Sequence, residues 1–87
     1  MDAKELLDAY RQLWVNRSMY VKKDDFETLW SSIVIELKDE MTHPRLRKTP
    51  EEKFHSAIKR IISSSLPDTY KVKLIELHSK VFEEVKK

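Results

Sequence analysis

The side chains best suited to metal ligation or proton transfer in this 87-residue chain are His43, His55 and His78. Their spacing matches no compact zinc pattern such as H-E-x-x-H. His55 falls on a polar part of its segment and His78 at the edge of an apolar stripe. A neutral imidazole fills such half-buried positions as an ordinary structural side chain. Serines come as Ser31-Ser32 and Ser63-Ser64-Ser65. A serine nucleophile elbow needs flanking glycines, and the chain has no glycine. The same absence removes a Gly-rich phosphate loop. There is no cysteine, so disulfides, thiol nucleophiles and cysteine-based metal sites are excluded. Carboxylates pair as Asp24-Asp25, Asp39-Glu40, Glu51-Glu52 and Glu83-Glu84. Neighbours on a helix diverge by about 100°, so these pairs do not converge on one substrate atom. A ferritin-like diiron site, which needs Glu-x-x-His on facing helices, is not expected. The expectation is a non-enzymatic protein with no catalytic residues, no metal and no cofactor.

The elements that would position these residues are helices. In Asp24 to Met41 the apolar residues Phe26, Leu29, Trp30, Ile33, Leu37 and Met41 recur at steps of three and four, the pitch of one helix face. Asp24 and Glu27 stand in capping-box order, and Pro44 forbids the helix from running on. Upstream, Leu6, Tyr10, Leu13 and Trp14 share a face, with Leu7 at its edge. Residues 16 to 23 either extend that helix or fold back, with Met19, Tyr20 and Val21 as a lid on the core. Thr49-Pro50-Glu51-Glu52 is the most specific helix start in the chain: a hydroxyl N-cap, proline at the first position and Glu at the third. Phe54, Ala57, Ile58, Ile61 and Ile62 form the stripe that follows. The serine run ends it, because hydroxyls compete for helical hydrogen bonds. After Pro67 and Asp68, Tyr70, Leu74, Leu77, His78, Val81 and Val85 line a fourth helix. The spacing predicts helices over 3–16, 25–42, 50–63 and 68–86. Short connections favour an all-α, antiparallel four-helix bundle in up-down-up-down order, with a three-helix variant if the third helix merges with its loops.

Apolar residues make up 40% and charged residues 37% of the chain. That high charge is compatible with one folded domain because the apolar residues are patterned. The longest wholly apolar run, Ile33-Val34-Ile35, is far short of a membrane span, and the start of the chain lacks the order of a signal peptide. A soluble, cytoplasmic protein is expected. The charge is split unevenly. Residues 1–42 carry six Lys/Arg against nine Asp/Glu, a net of −3. Residues 43–87 carry eleven against six, a net of +5, and the two sum to +2. Arg45, Arg47, Lys48, Lys53, Lys59 and Arg60 could therefore supply a phosphate-binding face from the basic connector and the third helix. A solvated mixed surface is the competing reading.

The apolar residues left over favour a different class of function. Val15, Ile35, Val72, Ile75 and Phe82 cannot all enter a core this small if the helices are regular. A grouped apolar surplus marks a partner surface, so Ile35, Val72, Ile75 and Phe82 are the expected protein-contact residues. The partner could be a second copy, giving a homodimer, or the groove of another protein. Two layouts are similar to known families. Ala9-Tyr10-Arg11 resembles the Leu-Tyr-Arg opening of mitochondrial assembly factors, with its first residue changed and with Pro44 and Pro50 interrupting that long three-helix pattern. Ile58, Leu74 and Leu77 sit where the small, basic, four-helix bacteriocin immunity proteins keep apolar positions, which would imply protection against a toxin. Both features belong to small helical bundles in general, and neither places the chain in a family. The leading expectation is a regulator, inhibitor or adaptor that binds another protein through helices four and two.

Overall fold

The structure is a computed structural model of the chain, and it describes residues 3–13, 24–40 and 42–86. Four α-helices appear in order: α1 Ala3–Gln12, α2 Asp25–Lys38, α3 Pro50–Ser63 and α4 Asp68–Val85, with a short 3-10 turn at Pro44–Leu46 between α2 and α3. No strand is present among the described residues. The expected all-α four-helix bundle is what forms. No helix among the described residues is long and apolar enough to cross a membrane.

The helix starts follow the sequence signals. Asp24 accepts a hydrogen bond from the Glu27 amide at 2.8 Å. The Thr49 hydroxyl accepts one from the Glu52 amide at 3.2 Å. Each cap satisfies an amide that the first helical turn leaves without a partner. At the other end of α3 the Ser64 hydroxyl donates to the Ile61 carbonyl at 2.7 Å and accepts from the Leu66 amide. The serine run thus stops the helix by the competition expected of it.

Two boundaries differ from expectation by more than one residue. The spacing predicts a second helix reaching residue 42, but α2 ends at Lys38. Asp39 takes the left-handed conformation, with φ 54° and ψ 41°. Its amide bonds to the Glu36 carbonyl and the Glu40 amide reaches back to the Ile35 carbonyl. This pair of bonds is a Schellman closure, ordinarily built on glycine. A chain without glycine builds it on aspartate, a residue that tolerates the left-handed region better than most. The first helix was expected to reach residue 16. It ends at Gln12, with Leu13 in a turn. Trp14, Val15, the proposed lid of Met19, Tyr20 and Val21, and Met41 lie outside the described residues.

The helices pack as a flattened square. Each sequential pair is in contact, α1 also meets α4, and α2 and α4 touch across the short diagonal. Among the described residues the backbones of α1 and α3 do not come close. Leu7, Ala9, Tyr10, Leu29, Ile33, Leu37, Ile61, Leu66, Leu74, Leu77 and Val81 form the core. Each large aliphatic so buried contributes about 1.5–3 kcal/mol over its exposed state. Two members of the predicted stripes stay outside. Phe26 is 51% exposed and Ile62 58% exposed, both at the margins of their faces. A stripe read at helical pitch is wider than the strip that neighbouring helices cover.

Candidate functional site

Each of the four helices sends one polar side chain to the same place. Tyr10 from α1, Glu36 from α2, Arg60 from α3 and His78 from α4 meet around the Glu36 carboxylate. The Tyr10 hydroxyl donates to Glu36 Oε1 at 2.7 Å. His78 Nε2 lies 3.4 Å from the same oxygen. Arg60 donates to Oε2 at 3.1 Å. The second ring nitrogen of His78 faces the Leu74 carbonyl oxygen at 2.7 Å. Both imidazole nitrogens therefore point at oxygen acceptors. The Tyr10 and His78 rings lie against one another at 5.7 Å, tilted by 44°.

This cluster is sealed. Tyr10 and His78 are each 1% exposed and Glu36 3%. Only the Arg60 side chain reaches outward, and it helps line a surface cleft of about 400 Å³ with Gln12, Leu13 and Ser63 to Leu66. Burial pushes the Glu36 carboxyl toward a higher pKa. The hydrogen bond and charge of His78, the Tyr10 hydroxyl and the Arg60 charge outweigh it and hold the group below the ordinary carboxylate value. Phenol, carboxylate, imidazole and guanidinium are the parts of an acid–base site. Here they are closed to solvent and gather all four helices around one carboxylate. Glu36 connects α1 to α3, two helices whose backbones do not come close among the described residues.

A second polar node organises the connector. Asp39 Oδ2 accepts from the Lys48 amide at 3.0 Å, and Oδ1 accepts from the Thr42 hydroxyl at 2.8 Å, with Lys53 Nζ 3.6 Å away. The Lys48 amide, ahead of the opposing effect of burial, and then Thr42 and Lys53 hold the Asp39 carboxyl below its ordinary value. Arg47 donates to the Thr42 carbonyl at 3.0 Å and the Glu40 carbonyl at 3.2 Å.

The residues expected to contact a protein partner are spread over two helices. On α4, Val72 is 55% exposed. Ile75 and Phe82 are half-buried and pack against the core. The Phe82 ring stacks on Phe54 at 4.7 Å, and the Lys86 ammonium sits 5.4 Å from its centre. On α2, Ile35 is half-buried. Of the six cations expected to meet nucleic acid, Arg60 is held by Glu36, Lys53 by Asp39, and Arg47 by two carbonyls. Arg45, Lys48 and Lys59 are exposed.

His43 and His55 are exposed, and His43 Nδ1 accepts from the Arg45 amide at 3.3 Å. The spacing Glu-x-x-His does occur, at Glu40 to His43 and at Glu52 to His55. All four of those residues are exposed. Among the described residues no three His, Cys, Asp or Glu side chains gather to hold a metal ion.

Sequence reasoning missed Glu36, because it counted apolar residues only. The signal was present: Glu36 follows Ile33 by three and Leu29 by seven, in phase with the buried face of α2. It also missed the aromatic cleft at the start of α2. There Phe26 lies 5.9 Å from Trp30, and with Glu27 and Ser31 the two rings line an open depression of about 420 Å³.

No solved structure matches the chain. It is 45% identical over 83 residues to "Uncharacterized protein YoyC" of Bacillus subtilis (strain 168), an alignment covering 95% of this chain and 88% of that one. The model of the YoyC family matches residues 1–87. The chain belongs to the YoyC family.

Proposed function

We propose that this protein acts by binding another protein, without catalysis, and that docking begins at the start of α2. The observation that carries this is the position of Phe26. It is a large aromatic side chain left half in water beside Trp30, at an open cleft more apolar than polar. Exposed aromatics in a depression are the anchors that protein interfaces use. A non-catalytic reading is supported by the closure of the Tyr10–Glu36–His78 cluster, which no substrate can reach without opening the bundle. The surface moves from the α4 residues Ile75 and Phe82, which are engaged in packing, to the flank of α2. Val72 and Ile35 remain candidate additions to it.

The test is Phe26→Ser, compared with wild type in affinity capture from the native host and in helicity by circular dichroism. The variant should keep its helical signal and lose the captured partner. A folded variant that retains the partner rejects the cleft as the docking surface. Loss of helicity shows that Phe26 is core.

A second reading rests on the connector. Arg45 and Lys48 stand exposed beside the 3-10 turn, where they could meet phosphate. Titration with duplex and single-stranded oligonucleotides across salt tests it, since phosphate attraction is strongest at low salt. No binding at low salt removes this reading.

A further inference from the structure

We propose that the occupant of the Phe26–Trp30 cleft is Leu46 of a second copy of this chain. The proposal rests on the reading of that cleft as a docking surface.

Leu46 is 74% exposed, the most exposed of the large apolar side chains described. A lone exposed leucine on a slack loop would mean little. This one is held out on a braced turn. Its amide bonds to the His43 carbonyl at 2.8 Å, and the Arg45 amide bonds to the His43 ring. On the far side Arg47 is tied to two carbonyls and the Lys48 amide to Asp39. An apolar side chain fixed in advance loses little conformational freedom on docking, which is the physical advantage of a preorganised contact.

Charge selects the partner. Leu46 is flanked by Arg45, Arg47 and Lys48. The aromatic cleft is lined by Glu27, with Asp24 and Asp25 exposed in the same first turn. A cationic leucine turn and an anionic aromatic cleft are complementary in both charge and polarity. The sequence-wide split, −3 in residues 1–42 and +5 in residues 43–87, has the same sense. Lys22 and Lys23 precede the acidic turn and lie outside the described residues.

The two halves cannot meet within one molecule. The cleft sits at the first turns of α2. The leucine turn is anchored to Asp39 at the other end of that helix, about 20 Å away at 1.5 Å per residue. Joining them needs two copies. They can pair reciprocally in a two-fold dimer, the leucine of each copy in the cleft of the other, or run head to tail as an open chain or ring.

Two different patches in one contact give a test by complementation. Wild type is followed by sedimentation velocity up to about 1 mM, the weak end of the affinity scale. Concentration-dependent association is expected, and it should weaken with salt. Leu46→Ser and Phe26→Ser should each be folded and monomeric. Mixed, they should form a one-to-one dimer and grow no further, because one retains the intact cleft and the other the intact leucine. If Phe26→Ser loses helicity, Glu27→Lys takes its place as the cleft variant. Wild type that stays monomeric at every concentration overturns the proposal. So does association unaffected by Leu46→Ser, or a mixture that does not recombine. If wild type is monomeric while Phe26→Ser still loses a captured partner, self-docking falls and the protein-binding reading stands.

Discussion

The Tyr10 hydroxyl and the Glu36 carboxylate, 26 residues apart, share a 2.7 Å hydrogen bond in the interior of the bundle. A carboxylate is costly to remove from water, and it is tolerated there because each helix supplies part of its environment. Replacing a bonded polar group leaves its partner desolvated and unmatched, so the two residues should behave as a unit. Tyr10→Phe is expected to cost about 1.5–3 kcal/mol, the range for a hydrogen bond to a charged group. Glu36→Gln is expected to cost about 2–4 kcal/mol, somewhat below the figure for a fully buried broken pair, since Arg60 can turn toward water. The double variant should cost at least about 1 kcal/mol less than the sum. Urea unfolding followed by circular dichroism measures all three, and strict additivity would show that the bond carries no coupling.

Acid should undo this arrangement. The Glu36 and Asp39 carboxyls are both held below their ordinary values in the folded chain. A group whose folded pKa is depressed contributes stability that is complete above its unfolded pKa. That stability is lost as pH falls through the folded value. The loss therefore begins as pH drops below the ordinary carboxylate range of about 4 to 5 and continues beneath it. Glu36→Gln should be less stable at neutral pH and show a shallower acid decline than wild type. Equal slopes in the two proteins, read from urea midpoints across pH, would assign the acid sensitivity to other carboxylates.

Asp39 has two tasks that substitutions can separate. It tolerates the left-handed backbone, and its carboxylate gathers Lys48, Thr42 and Lys53. Alanine fails at both and should cost about 2–3 kcal/mol. Glycine relieves the backbone while losing the acceptors, for about 1 kcal/mol. Asparagine keeps the backbone preference and one acceptor, and should be the mildest of the three. Thermal melts of these variants give the order. If alanine proves as mild as asparagine, the left-handed conformation is not being enforced by residue 39.

Four helices were legible because the apolar pitch was clear in each, and in α3 pitch, start and stop all agreed. Thr49-Pro50-Glu51-Glu52 and the serine run bracket α3 at both ends, and its bounds match the prediction. The end of α2 was not legible, because its stop signal is an aspartate used where glycine is usual. Phe26 and Ile62 were misplaced for a different reason. Pitch reports which residues lie on a face, while burial depends on how far the neighbouring helices extend over it. Glu36 was hidden by its chemistry: a charged residue at a core position is informative only once its partners are known, and Tyr10, Arg60 and His78 come from three other helices.

The two ends of the apolar surface of α4 should respond differently to charge. Phe82 is half-buried, stacked on Phe54 and covered by Lys86. Phe82→Asp removes a ring from that stack and puts a carboxylate against an apolar neighbour, for an expected loss of about 2–4 kcal/mol. Val72 is 55% exposed on the second turn of α4, where an added aspartate stays in water. Val72→Asp should change stability by no more than about 0.5 kcal/mol. Denaturant midpoints for the two variants decide whether Phe82 can belong to a free docking face. A folded, fully stable Phe82→Asp would return it to the surface and reopen α4 as the interaction helix. The expected loss instead leaves Val72 as the exposed large apolar side chain of α4, beside Phe26 on α2, Ile62 on α3 and Leu46 on the connecting turn among the described residues.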